Sequence, residues 1–534
     1  MDRIRHKRNY DLHSWSGVVL GLVIYVIAFT GCFALFYQEF LTWEDPVLRL
    51  TPVEEHVELQ PLVDEWNADL PTGTELEYIR IDRPTEHTPY IEGWRHYDAE
   101  DGSHVFDQAR WNAQTGERLA IREQGLALWL LDFHRDLMWP EALGGRTVGR
   151  GLVGIFGVIL MLSIISGVVA HVKIREEFFS LRWFRSPRLR WQDTHKVVGL
   201  WGLPFFSMIS FTGAILGIVT LLAPAVAVIA FKGDTEAVYD AVLGAPIMPT
   251  GVPAEMMSFD QAAAMTSAES GALPERIFIW NVGDETATFD LFFPAERGLV
   301  TYDALKVSAI DGVPVSDSPF DTPTLASQIT EAMAPLHYGT YNGIWLKFVY
   351  FGLGLSLAII TALGLMMWIE RRQHGNEGTK SERFYRTLSH INTGVVMGLP
   401  VATLALFYLD KLYVGEETAR LATTGWTYFG AWVVWILYAF IRRNDYKATR
   451  EILLLCGLMG IGMPVLNGMT TGDWFFVDIL TDHAGAAYVD LTFLIGGALT
   501  ALTAWALPNH RVAKQSRSER KVVSAERAET QPAE

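Results

Sequence analysis

The sequence predicts an all-α polytopic membrane protein of about eight transmembrane helices: a four-helix core of two pseudo-repeats, plus four C-terminal helices. It also predicts two small α+β domains outside the bilayer. Three observations carry this. Half of the 534 residues are hydrophobic and the mean hydropathy is positive, because apolar runs of about 20 residues cross the chain almost free of charge, the length that spans a hydrocarbon core. Lys and Arg gather at alternate ends of those runs, as membrane topology requires. Finally, one stretch occurs twice. Asp193-Thr-His195-Lys-Val-Val-Gly199-Leu-Trp-Gly202 leads an apolar run that closes on Phe211-Thr212-Gly213. His13-Ser-Trp-Ser-Gly17-Val-Val-Leu-Gly21 leads another that closes on Phe29-Thr30-Gly31, at the same offsets.

Taken in order, residues 1–39 hold a short basic start (Arg3, Arg5, Lys7, Arg8) and a first span near 15–36. That run is too long for a signal-peptide core and lacks a small-residue cleavage site, so it reads as a retained span with a cytoplasmic N-terminus. Residues 40–146 form a polar, acidic α+β domain, with a strand at Glu77-Tyr-Ile-Arg-Ile-Asp82 and a turn at Gln114-Thr-Gly116. Residues 147–232 hold the second and third spans, near 149–172 and 195–229. A basic, aromatic loop with Lys173, Arg175, Arg182, Arg185, Arg188 and Arg190 joins them. Residues 233–341 form the second domain, with a short helix at 258–266 and strands at 276–280 and 286–293. The fourth span (342–372) ends at Arg371-Arg372. Residues 373–508 hold four more spans, near 391–410, 424–441, 450–468 and 485–507. The charged tail, 509–534, reads as disordered and cytoplasmic. With both termini inside, the positive-inside rule holds throughout, which places the chain in a bacterial inner membrane with its two domains in the periplasm.

The net charge of −17 is concentrated in the two polar segments, which argues against nucleic acid as a partner. Cys32 and Cys456 both lie in apolar runs, so neither a disulfide framework nor a cysteine metal site is expected. No His-Glu-x-x-His, P-loop or dinucleotide fingerprint is present, and Gly352-Leu-Gly354 follows no strand.

Histidines stand at the membrane ends. His13, His171, His195 and His390 fall on the cytoplasmic side; His134, His337 and His483 fall on the outer side. A single interfacial histidine is ordinary, since it has an apolar body and a polar tip. Pairs at equivalent repeat positions are not. His13 matches His195. Phe133-His134 and Leu336-His337 each precede a glycine-rich helix that descends to Ser166-Gly167 or Leu363-Gly364. Two parallel copies about an axis along the membrane normal bring His13 to His195 and His134 to His337. Facing imidazoles fit axial ligation of haem, and Gly17, Gly21, Gly199 and Gly202 let a flat macrocycle or a helix come close. Zinc fits less well, because two histidines per level do not make a tetrahedral set. His171 is a third candidate at the inner level, as a ligand or as a partner for a propionate or a quinone head group. The weaker third copy begun by His390 lacks Phe-Thr-Gly, so the last four spans read as structural.

Residues 9–374 resemble the PepSY-associated transmembrane family, including its iron-regulated siderophore-reductase members. The resemblance rests on His13-Ser-Trp-Ser-Gly with Phe-Thr-Gly, on Leu-Asp-Phe-His134-Arg-Asp-Leu, and on Ser-Gly-Val-Val-Ala-His171-Val-Lys-Ile. It rests further on Asp193-Thr-His195-Lys-Val-Val-Gly-Leu with Leu-Pro-Phe, and on Leu-His337-Tyr-Gly. It implies PepSY-like periplasmic domains and, as in some members, two b-type haems and reduction of siderophore-bound ferric iron. No flavin or nicotinamide motif is visible, so the electron donor is expected to be a separate cytoplasmic protein or a membrane quinol. Two other classes compete. A non-enzymatic PepSY membrane protein that binds peptides or regulates a protease would tolerate loss of the histidines. A transporter would need a mid-membrane charge, and the first four spans carry none.

Overall fold

Among the described residues, seven helices are long and apolar enough to cross a membrane, and one bent pair makes up to an eighth crossing. The structure, a computed structural model, describes residues 3–507 except 54, 72–73, 86–87, 100–103, 121, 123–124, 183–186, 235–236, 239–246, 298, 316–324 and 481–483. His483 and the tail from 509 lie outside the described residues.

The first copy consists of α1 (Arg3–Ala34), α2 (Tyr37–Glu44), α3 (Leu59–Ala68), β1 (Glu75–Asp82), β2 (Tyr90–Asp98), β3 (His104–Asn112), α4 (Leu126–Asp136) and α5 (Gly145–Ala170). The second copy follows the same order. It runs through α6 (Pro187–Trp201), α7 (Leu203–Ala230), α8 (Phe259–Ser270), β4 (Arg276–Trp280), β5 (Thr288–Arg297), β6 (Val300–Ser308), α9 (Leu325–Tyr338) and α10 (Gly343–Gly375). Then come α11 (Glu382–Leu412), α12 (Glu417–Arg442), α13 (Asp445–Thr471) and α14 (Ala484–Ala506).

The expected third span is not one straight helix. Between α6 and α7 the chain bends by 68°. Pro204 stands in the first turn of α7, where its missing N–H costs nothing but where it cannot continue α6. Gly202 therefore belongs to the bend. A Cβ there would meet the Phe206 ring at 2.2 Å, so of the two uses read from the sequence this glycine serves the close approach of a helix, α7.

The two polar segments, expected as separate small domains, share one antiparallel sheet of six strands in the order β3-β2-β1-β4-β5-β6. The join is β1 against β4, with Ile79 opposite Ile279 and Asp82 opposite Arg276. A three-stranded half would leave an open edge, and pairing β1 with β4 closes two edges at once. Strand alternation puts Ile79, Ile81, Ile277 and Ile279 on one face. There they bury against α3 and α8 in a single core with Trp66, Phe259 and Phe289. Ser258 and Gln261 form a capping box that starts α8.

The C-terminal helices are not a separate bundle. Leu399, Phe407, Tyr428, Met463 and Val489 share one core with Tyr25, Phe29, Trp43, Trp129 and Phe133 of the first copy.

The shared sheet has a testable consequence. Ile79→Ala removes a side chain that is 1% exposed, and a cut of this size in a core costs about 2–5 kcal/mol. Amide exchange is expected to rise in β4 and β5 as well as in β1–β3. Faster exchange confined to β1–β3 would contradict a common core.

Candidate functional site

Four histidines meet in two pairs. His13 of α1 and His195 of α6 have ring centroids 6.1 Å apart, with planes at 64°. His134 of α4 and His337 of α9 are 6.3 Å apart, with planes at 23°. The second pair is nearer the sheet and sits on short helices beside the spans, not on the spans themselves. Measured on α1, the levels of His13 and of Gly31, which packs on His134, are 18 residues apart, or about 27 Å of helix.

Each ring is built in by its own copy. His13 Nδ1 bonds the carbonyl oxygen of Ser163 at 2.9 Å, and His195 Nδ1 that of Ile360 at 2.8 Å. His134 Nδ1 bonds the carbonyl oxygen of Ile27 at 3.0 Å. A carbonyl only accepts, so Nδ1 carries the proton in all three rings, and in the neutral ring Nε2 keeps its lone pair. His337 Nδ1 lies 2.9 Å from Thr212 Oγ1, whose own hydrogen goes to Met208 O at 2.9 Å. The same tautomer follows. Such anchoring of Nδ1 is how a protein orients an imidazole for a metal at Nε2.

Glycine makes the space for each ring. A Cβ at Gly167 would stand 2.9 Å from His13, and one at Gly364 3.1 Å from His195. A Cβ at Gly31 or Gly213 would stand 2.8 Å from His134 or His337. The repeated Phe-Thr-Gly thus has a local purpose. Its threonine and glycine form the cradle of the outer histidine, with Thr30 Oγ1 3.4 Å from His134 Nδ1. On α5 and α10 the carbonyl at 163 or 360 and the glycine four residues on form the inner cradle. Backbone carbonyls leave no mark in a sequence, and those two glycines were its only trace.

A cavity of about 420 Å³ opens beside the inner pair, lined by His13, His195, Gly17, Gly21, Gly199 and His171, among others. Gly17 has nothing within 4 Å of its Cβ position, and Gly21 and Gly199 only Thr361 at 3.8 Å and Ile360 at 4.0 Å. His171 caps α5 at the cavity wall and does not join the pair. Its Nε2 stands 3.4 Å from Glu177 Oε2. His390 lies elsewhere, bonded through Nδ1 to Asp445 at 2.6 Å.

The outer rings, on helices outside the spans, are held neutral. Burial pushes His134 down to about 4 and His337 to about 3, so both offer an unprotonated Nε2 at neutral pH. Among the described residues no third His, Cys, Asp or Glu completes a metal-binding group at either level.

A family model described as PepSY-associated TM region matches residues 10–371. The chain belongs to this family. The PepSY-associated region takes in both copies and all four paired histidines, ends within α10, and leaves α11–α14 outside. An uncharacterized protein of Pseudomonas aeruginosa, PA4219, is 26% identical over 390 residues, which cover 70% of this chain and 93% of the relative.

The cradles predict a sharp contrast between glycines. Gly31→Ala and Gly213→Ala overpack a histidine and are expected to cost about 1–3 kcal/mol each. Gly17→Ala, which meets open space when the inner cavity is empty, is expected to leave the melting temperature of the protein with that cavity empty unchanged or slightly raised. Equal losses at all three positions would contradict this assignment.

Proposed function

We propose that this PepSY-associated protein is a di-haem electron carrier of a bacterial inner membrane. One b-type haem would sit between His13 and His195, the other between His134 and His337. Electrons would pass from the cytoplasmic side to a periplasmic acceptor, a ferric siderophore.

The spacing within each pair carries this reading. A metal–imidazole bond is about 2.0–2.1 Å, and an imidazole nitrogen lies about 1.15 Å from its ring centroid, so two imidazoles that share one metal ion through Nε2 would have centroids about 6.3–6.5 Å apart. The observed values are 6.1 and 6.3 Å. Two ligands per level suit an iron whose other four ligands come from a macrocycle. Glycines 17, 21 and 199 leave the wall of the inner cavity flat enough for one.

Haem held in this way supplies reversible one-electron exchange between ferric and ferrous iron. The protein's own residues do the rest. Two histidines at each level would hold the group from both sides, which would keep exchangeable ligands away and suit transfer without bond formation. Phe206, Leu357 and Ile360 form a buried apolar layer that lines the way from the inner level. Lys173, Arg175, Lys196 and Arg371 collect at the His13 end, which supports a cytoplasmic placement of that end by the positive-inside rule. The sheet, read as a PepSY-like domain, would then face the periplasm.

A ferric siderophore holds Fe(III) through hard oxygen donors. One electron converts the iron to Fe(II), which those donors favour less. The donor loses that electron. If the donor is a quinol, its two electrons serve two acceptor irons, and its two protons leave with the quinone.

The test is haem quantified per chain of purified protein, with a reduced-minus-oxidised spectrum. Two low-spin b-type haems are expected. His13→Ala or His195→Ala should leave one, as should His134→Ala or His337→Ala, whereas His171→Ala should keep both. No haem from iron-replete cells would overturn the reading and favour a PepSY protein that binds peptides or regulates a protease. The ring planes add a second expectation. The near-parallel outer pair should give a rhombic ferric EPR signal, and the crossed inner pair a signal with a larger maximum g value; two identical signals would contradict the pairing geometry.

A further inference from the structure

The two outer histidines are equivalent by repeat and unequal by surroundings. His134 stands in the last turn of α4. At 11 residues, α4 is shorter than the length at which an isolated helix holds in water, about 12–15 residues. Packing must hold it in place. Leu126, Trp129, Leu130 and Phe133 form one buried stripe along it, at the spacing of a helix face. That stripe meets α12. Trp129 and Phe133 lie 4.7 and 5.2 Å from the Tyr428 ring, and Phe133 lies 5.8 Å from Phe429. Tyr428 is fully buried.

The approach to α4 is tied down as well. Arg122, just before the helix, bonds Asp410 of α11 at 2.9 Å, and Arg420 of α12 bonds the same carboxylate at 3.0 Å. Buried Glu44 of α2 accepts the Ala127 N–H at 2.9 Å. On the other side of the pair, α9 packs on α7 and β6 of its own copy. Its anchor there is Tyr350 of α10, whose hydroxyl donates to Leu336 O at 3.0 Å.

We infer that α11 and α12 form a positioning element for His134: Tyr428 and Phe429 fix Phe133, and Phe133 fixes the ring that follows it. The PepSY-associated region stops before these helices, so this brace is an addition to the repeated core. Through Phe133 it acts on one histidine of one pair. A shift of α4 changes the 6.3 Å separation and the 23° plane angle of the outer pair and leaves the inner pair alone. The consequence for electron transfer rests on the haem reading above; the positioning itself does not.

The test uses the full-length protein with Tyr428→Ala, and with Tyr428→Phe, which keeps the ring. Amide exchange is read over 126–136 and 325–338, and ferric EPR with redox titration over both haems. Tyr428→Ala should speed exchange at 126–136 by about tenfold or more, the range in which helices open locally, and leave 325–338 as in the unsubstituted protein. It should also move the signal and midpoint potential of the outer pair but not of the inner. Tyr428→Phe should match the unsubstituted protein in every readout. Unchanged exchange at 126–136, or equal loosening of both helices, overturns the inference. So does faster exchange with an unmoved outer signal. If the unsubstituted protein binds no haem, the proposed function fails, and the exchange pattern alone decides this inference.

Discussion

The whole arrangement depends on one small interaction made four times: a hydrogen bond from imidazole Nδ1 to an acceptor that cannot move. Three of the acceptors are main-chain carbonyls within helices, at Ser163, Ile360 and Ile27. The fourth is a threonine hydroxyl already committed to a carbonyl. A ring held in this way has one tautomer and one direction. A glycine against its flank allows it to sit close to the helix that holds it. Without these bonds, a pair of histidines in an apolar bundle would have no fixed spacing.

The two copies divide the labour. Each copy builds its own cradles from its own helices, and the pairs form only between copies. An error in how the copies dock therefore changes ring spacing directly. The structure resists such error twice. At one end β1 and β4 fuse two half-sheets into one, so the copies cannot slide without breaking a ladder. Within the bundle, Tyr25 donates to Val396 O at 2.7 Å and Trp43 to Asp490 at 2.8 Å, which locks α1 and α2 to the C-terminal helices.

Much of this was legible in the sequence, for a physical reason. The same local chemistry is needed in both copies, so it is written twice: a histidine, a glycine one turn on, and Phe-Thr-Gly farther along the same apolar run. Hydrophobic length marked the crossings, because a bilayer has a fixed thickness. Non-local pairing was not legible. The union of β1 with β4 joins residues about 200 positions apart, and nothing in either strand names its partner. β2 and β3 interleave Glu92, Arg95, Asp107 and Arg110 with apolar residues and give no clean alternation. Pro204 was in view, but the apolar run continues past it, and periodicity does not register a bend. The docking of α12 on Trp129 and Phe133 depends on shape, which composition does not carry.

The most direct measurement is electron passage across a sealed membrane. Purified protein in liposomes, with ferricyanide trapped inside and a membrane-impermeant reductant added outside, reports transfer from one face to the other. The paired sites predict reduction of the trapped acceptor that requires the protein and is lost in both His195→Ala and His337→Ala, one from each level. Reduction that survives either substitution, or none at all with two haems bound, would contradict a path running through both pairs.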